Sequence, residues 1–425
     1  MDALAVGRSW SSIGWKTTLP FLKALPDAVP TPNPTSSAVP QNENSSDYPA
    51  LVGAAGNVAD DNLMSSIVGL WHLDEATGTT ALGSIKDNSG NGLNGTPVGG
   101  VTMGRFGKVS SSAQMNGSTG YIDIGTPIAS SNDMTISAWI FVNAYPASRA
   151  DLISNEDLTA VGFNLALYSD AGFTTGYFNG AYTEINNNGS VVPLGVWTHL
   201  LSVRNSLTGK IYLYKNGILV NQGAAGTSVS SSSRSVYFGN SPRVSRFFNG
   251  LMDEVAIWSR ALDPKEILQL YRRGANRVKY QVRNCIAATC SDDATGANWK
   301  GPDGTNQTYF SELDNRALQA AASSGAVLAT PPVMNLGSFG TPAGTAVGTS
   351  RYFQYRAILE SDDTSTACNY GPGYTATACS PEIKSVSVGP IHYDSSSPTI
   401  VGHTGAAYQS LDSFAESLGS ACGSG

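Results

Sequence analysis

Charge is scarce in this chain of 425 residues: Lys, Arg, Asp and Glu together make up 13%, against roughly 25% in an average soluble domain. What charge there is carries a negative balance, −7 at neutral pH with a pI near 5.1. Nucleic acid is therefore excluded as a partner, because no basic stripe compensates the phosphates. Histidine occurs four times and does not cluster, so no Ser/His/Asp or Cys/His constellation can be assembled with any specificity. Cysteine occurs five times without the CxxC spacing or neighbouring histidines that a zinc site needs. No apolar run approaches the ~18 residues that would cross a bilayer as a helix, so membrane insertion is not expected.

Gly, Ser, Thr and Asn fill the gap that charge leaves. Such a composition suits short strands joined by many turns, hence an all-β chain, and it suits life outside the cell or on its surface. The length allows two or three domains. Cys285 and Cys290, and Cys368 and Cys379, form two local pairs on turn-like sequence, where two disulfides are expected. Cys422 is left over. The N-terminal stretch MDALAVGRSW lacks the basic start and apolar core of a signal peptide, and the expectation is a piece of a larger secreted protein; a complete cytosolic protein is the alternative.

The most informative stretch is RFFNGLMDEVAIWSRALDPKEILQLYRRG, residues 246–274. It reads as a strand, a turn and a short helix. Strict alternation would put Leu251, Asp253, Val255 and Ile257 on one side and Met252, Glu254, Ala256 and Trp258 on the other. Asp263 is the expected helix cap, with Pro264 at the first helical position, Glu266 completing a capping box and Gly274 closing the helix. Ile267, Leu268 and Tyr271 form an apolar stripe that must lie on something.

The pattern F-x-G-x-x-D-E-V-x-I-W-x-R-x-L followed by P-x-E-I-x-x-L-Y resembles the closing strand and helix of the laminin-G-like jelly-roll family, which has the concanavalin A-like sandwich fold. Upstream, VGLWHLDEATGTTA (68–81) and DNSGNGLNG (87–95) are similar to its opening strand and first loop. AQMNGSTGYIDI (113–124), MTISAWIFV (134–142), WTHLLSVRN (197–205) and IYLYKNGILV (211–220) are similar to its middle strands. The resemblance covers 63–275. It implies the fold and a ligand class, glycans or cell-surface glycoconjugates, without specifying the ligand. It also implies a calcium ion where the opening loop meets the last strand, carried by position onto Asp87, Asp253 and carbonyls near Gly92. The alternative is that Asp87 caps a turn and Asp253 accepts backbone N–H groups.

Residues 25–62, rich in Pro, Ser, Asn and Asp, read as a linker. Beyond the jelly roll, RVKYQVRNC (277–285), WKGPDGTNQTYFSEL (299–313), SRYFQYRAILESDD (350–363) and SPEIKSVSVGPIHY (380–393) resemble a β-sandwich module of bacterial surface proteins. The usual first strand of that module, S-W-S-S-I-x-W, stands here at 9–16, anchored by Trp10, Ile13 and Trp15. The expectation is a jelly roll inserted into a second sandwich formed by 5–24 and 276–393, because chain ends that emerge side by side tolerate insertion; a bead string with a loose leader is the alternative. Residues 394–425 read as a linker and the truncated start of a further module.

No catalytic residue is expected. Glycoside hydrolases of this fold carry facing carboxylates, whereas Asp253 and Glu254 are adjacent and would point to opposite faces, and Glu156 and Asp157 are adjacent in a loop. SDDATGANW (291–299) resembles a sialidase Asp-box with one residue too many, and reads as a turn in which Asp293 binds backbone N–H groups over Trp299. The aromatic and amide-rich stretch with Tyr177, Phe178, Tyr182, Asn187 and Asn188 can stack and bond a sugar, or supply a turn and two strand anchors. The reading is a non-catalytic, extracellular or cell-surface recognition or adhesion module for glycans, with homo-oligomerisation open in the full-length protein. A fibre spacer, or the accessory module of a polysaccharide-degrading enzyme, are the rivals.

Overall fold

The computed structural model describes residues 9–10, 12–28, 43, 48, 51, 63–181, 183–226, 228–313, 333–336, 352–362, 380–388 and 391–392. Two large antiparallel sheets dominate it. The seven-stranded sheet runs, in spatial order, Glu184–Asn186, Phe173–Asn179, Val161–Tyr168, Arg149–Ser154, Tyr237–Phe238, Tyr121–Asp123 and Thr96–Val98. The eight-stranded sheet runs Ile218–Ala224, Lys210–Lys215, Trp197–Asn205, Met134–Val142, Asn249–Trp258, Ser111–Asn116 and Thr102–Phe106, with Ile67–Trp71 also paired to Asn249–Trp258. Their inner faces enclose one core, including Ile136, Ile140, Phe163, Leu165, Phe173, Phe238, Met252 and Val255. Alternating strands send every second side chain into it.

The central strand Asn249–Trp258 departs from the strict alternation expected. Its ladder shifts between Asp253 and Ala256, and Glu254 takes φ +49°, a bulge that inserts an extra residue. Met252, Val255 and Ile257 therefore all face the inner core, while Ala256 and Trp258 lie in a second cluster on the outer face. The bulge falls where the strand changes partner, from Ser111–Asn116 over 249–252 to Ile67–Trp71 over 255–258. Asp253 and Glu254 thus do not simply oppose one another.

The helix α1, Pro264–Ala275, starts as its sequence requires. Asp263 accepts from the amides of Lys265 and Glu266, and the Glu266 carboxylate in turn accepts from the Asp263 amide. Its end differs. Gly274 is helical, the cap is Asn276 in extended geometry, and the chain passes directly into the strand Asn276–Cys285. Gly274 serves packing instead: a Cβ there would stand 2.6 Å from the Trp139 ring. Leu268 and Tyr271 pack with Trp139, and Ile267 and Leu270 with Trp258, so the stripe lies on the outer face of the eight-stranded sheet.

The segment before the jelly roll and the segments after it share a separate core. Ser12–Thr17 pairs with Ile383–Val388 and with Val333–Asn335, and Asn276–Cys285 pairs along its whole length with Tyr352–Ser361. Ile13 and Trp15 pack with Val278, Tyr280, Phe353 and Val388, the Trp15 and Tyr280 rings standing 4.6 Å apart. Ser9–Trp10 pairs with Ile391–His392; the Trp10 side chain lies outside the described residues. Leu25–Ala28, assigned to a linker by composition, instead lies against the jelly roll: Leu25 is buried among Leu63, Leu70 and Trp258, and the Ala28 amide donates to Asn88. Cys285 and Cys290 are disulfide-bonded, their Cα atoms 5.1 Å apart. Cys368, Cys379 and Cys422 and the whole of 394–425 lie outside the described residues.

Candidate functional site

Polar side chains concentrate on the outer face of the seven-stranded sheet. Phe163, Leu165 and Leu167 face the core, so their strand turns Asn164, Ala166 and Tyr168 outward. By register Asp151, Ala166, Thr174 and Asn186 form one cross-strand row, and Asn164, Gly176 and Glu184 another. At the sheet edge Tyr168, Asp170, Gly172, Thr174, Glu184, Asn186 and Asn187 line a cleft of about 380 Å³. A Cβ on Gly172 would stand 2.7 Å from Asp170 Oδ1 and 2.9 Å from Asn187 Oδ1, so glycine keeps the two side chains at the rim.

Beneath the cleft lies a charge network. Arg149 donates through Nε to Asp151 at 2.6 Å and through a terminal nitrogen to Glu184 at 2.8 Å. It also covers the Tyr168 ring at 5.7 Å. Arg246 donates to Glu156 at 2.9 Å, Arg243 lies 3.5 Å from the same carboxylate, and Asn164 donates to Glu156 and Glu184, both at 2.9 Å. Burial pushes the Asp151 carboxyl up from the usual range, against the pull of Arg149. For Arg149, burial opposes the charge but Asp151 and Glu184 outweigh it, and its basicity rises. Three guanidinium groups thus meet three carboxylates. Asp151 and Glu156 are 0% and 1% exposed under those arginines, a load-sharing floor rather than an open acid/base pair.

Among the buried polar atoms at this site that lack a hydrogen-bond partner among the described residues are Thr174 Oγ1 and Asn164 Oδ1. Thr174 is 7% exposed and lines the cleft. A buried hydroxyl without a hydrogen bond carries a desolvation cost, and a hydroxyl-bearing ligand entering the cleft would relieve it.

The structure brings together only part of what sequence reasoning marked. Asn187 lines the cleft, while Tyr177 and Phe178 are core residues, 1% and 0% exposed. Asn188 supplies a turn at φ +46°, and Tyr182 lies outside the described residues. Tyr168, Asp170, Thr174 and Glu184 were missed, although the alternation in VGFNLALY and FTTGYFN is the signal that finds Asn164, Tyr168 and Thr174. Glu156 lies in a loop, as read, and is buried there.

The two aspartates marked for calcium are held differently, and Asp253 Oδ1 is buried without a hydrogen-bond partner among the described residues. Asp87 Oδ1 accepts from the amides of Leu70 and Ser89, and Oδ2 from Leu93. Gly92 takes φ +76° in the same turn. Asp253 Oδ2 accepts from Lys108 and Val109, filling the gap in the ladder at the bulge. Burial raises its carboxyl well above the usual range, with Glu254 and Asp74 adding to the effect. Among the described residues no group of three His, Cys, Asp or Glu side chains is placed to hold a metal.

Other chemistry-bearing groups are structural. Ser137 Oγ lies 2.8 Å from His199 Nε2, both 1% exposed, but the imidazole packs against the Trp139 and Tyr271 rings and burial lowers its pKa to about 3. No third group orients it as a base. His72 bridges Glu254 and Asp27, each at 2.9 Å. Asp293 accepts from Arg283 and from the Asn298 amide, and Trp299 lies under the guanidinium groups of Arg283 and Arg356, a turn as expected.

Two antiparallel sheets of seven and eight strands, closed by a strand and a docked helix, define a concanavalin A-like β-sandwich. Residues 116–268 match the family model described as the concanavalin A-like lectin/glucanases superfamily, within the laminin-G-like span read from sequence. No curated protein matches the chain. Among solved structures, domain 4 of AbnA, a GH43 extracellular arabinanase from Geobacillus stearothermophilus in complex with arabinotriose, is similar at 20% identity and a TM-score of 0.40, over 48% of this chain and 98% of that one. The binding domain of Paraclostridial Mosquitocidal Protein 1 is similar at 19% identity and a TM-score of 0.39, over 54% and 62%. The binding domain of botulinum neurotoxin DC, in complex with rat synaptotagmin II, is similar at 15% identity and a TM-score of 0.40, over 52% and 58%. This chain thus spans less than two thirds of the latter two.

Proposed function

We propose that this chain is a non-catalytic recognition module that binds glycans outside the cell, and that the cleft at the edge of the seven-stranded sheet is its binding site. The observation that carries the reading is Thr174, whose buried hydroxyl lacks a partner among the described residues at the wall of an open, polar cleft. Around it stand the groups a sugar uses: the Tyr168 ring, the Asn186 and Asn187 amides and the Asp170 and Glu184 carboxylates. The Cys285–Cys290 disulfide supports an oxidising, extracellular setting. The shared core of Ile13, Trp15, Tyr280 and Phe353 supports a jelly roll inserted into a second β-sandwich, which would hold the cleft out from its anchor.

A glycan array with the parent and with Thr174→Val and Tyr168→Ala variants tests this. One hydrogen bond is worth about 1 kcal/mol, so Thr174→Val should weaken binding roughly fivefold, without loss of stability. An array on which nothing binds, or binding unmoved by both substitutions, overturns the reading.

A further inference from the structure

The same sheet face carries a second feature that the cleft does not use. Ile122 and Phe238 lie in the core, so alternation turns Tyr121 and Tyr237 outward; Phe248 is likewise in the core beside the outward Phe247. The Tyr121 and Tyr237 rings stand 4.6 Å apart, tilted by 32°, and Phe247 joins them 6.4 Å from Tyr121. All three are half-buried, whereas Phe163, Phe173 and Phe238 on the inner face are fully enclosed. Aromatic rings left half open on a sheet otherwise faced with charge and amide groups offer flat apolar surface next to hydrogen-bonding groups, the pairing that a pyranose or furanose ring presents in mirror image.

We infer that Tyr121, Tyr237 and Phe247 form a second carbohydrate subsite, so that the ligand is an extended neutral polysaccharide lying across the seven-stranded sheet. The inference rests on the reading of the cleft as a glycan site. In the sheet, the cleft strand Phe173–Asn179 is separated from Tyr237–Phe238 by the strands Val161–Tyr168 and Arg149–Ser154. Three to four strand spacings then part cleft from platform, roughly 14–19 Å, farther than one sugar ring reaches.

The ground between them is charge-balanced. Arg149, Arg243 and Arg246 are paired with Asp151, Glu156 and Glu184, and Asp170 and Asp123, which neighbours Tyr237 across the ladder, stand at the two ends. A uronate or sulfated chain meets no unpaired cation among these residues and two carboxylates at the ends. A neutral chain meets partly exposed guanidinium donors at Arg243 and Arg246 and stacking surface at each end.

Affinity gel electrophoresis of the full chain tests this, with gels containing arabinan, galactomannan or xyloglucan as neutral polymers and polygalacturonate or alginate as acidic ones. At least one neutral polymer should retard the parent. Tyr121→Ala/Tyr237→Ala and, separately, Phe247→Ala should weaken that retardation roughly fivefold or more, while array binding of short oligosaccharides stays unchanged. Retardation by acidic polymers alone, or equal retardation of parent and both variants, overturns the inference. If short oligosaccharides bind in a Thr174-dependent way but no polymer retards the parent, the cleft stands and the platform falls. If nothing binds in either assay, the cleft reading fails and the platform with it. Unchanged thermal midpoints confirm that the variants are folded.

Discussion

Glu312 is the group through which pH should act on the fold. It is fully buried where the segment around Lys23 and α1 meets the second core, and burial raises its pKa to about 7 from an ordinary value near 4.5. Lys23, 3.8 Å away, and Arg273 pull it down, and Glu43 pushes it up. The folded state thus holds this proton more tightly than the unfolded chain does. The stability it contributes is fully present below about pH 4.5 and is lost as pH rises through about 7. A difference of about 2.5 units corresponds to roughly 3 kcal/mol. Glu312→Gln keeps the shape and removes the titration. Urea unfolding of parent and variant at steps from pH 4 to pH 8 should show the variant gaining on the parent by roughly that amount across the window. Parallel profiles would refute the reasoning, since every other titrating group is common to both.

Asp253→Ala should cost about 2–4 kcal/mol, because the buried amides of Lys108 and Val109 lose their acceptor, whereas Asp253→Asn should stay within about 1 kcal/mol at neutral pH; chemical denaturation distinguishes the two. The thermal midpoint with calcium and then with excess chelator tests the calcium site at Asp87 and Asp253: a clear drop with chelator supports it, and no change removes it. Replacing Cys285 and Cys290 by Ala opens a short loop and should cost about 2 kcal/mol, read from the urea midpoint. Trp15→Ala should cost about 3–5 kcal/mol and, if the jelly roll is an inserted unit, should lower a transition reported by the Tyr280 and Phe353 core while jelly-roll amides stay protected from hydrogen exchange.

Much of the fold was legible because its signals are local. Asp263, Pro264 and Glu266 announce the helix start within four residues, and the strands 134–142 and 197–205 alternate cleanly. The bulge at Asp253–Glu254 was not legible, because its cause is a change of ladder partner between segments some 140 and 190 residues away in sequence. Gly274 misled for a similar reason: it has the residue type of a helix stop, but the Trp139 ring, not the backbone, demands glycine there. Calcium was carried by position onto Asp87, both of whose oxygens accept amides, and Asp253, of which only Oδ2 does. The cleft was half visible, since Asn187 stood out by composition, while Thr174 and Tyr168 acquire meaning only once strand order sets them side by side.

The register of Ser12–Thr17 against Ile383–Val388 has a mechanical consequence. Ile13 lies opposite Val388 and Thr17 opposite Ile383, so the chain enters and leaves this ladder at the same end. Tension applied through the entering and leaving segments would open it like a zipper, one pair after another from Ser9 and His392 inward through Ile13 and Val388, rather than shear all its bonds at once. If the jelly roll is an inserted unit, the sandwich that bears the cleft stands outside that load path, strung on a loop whose two roots are already stitched together. A glycan held in the cleft would stay bound to an unstretched site until the stitch itself gave way.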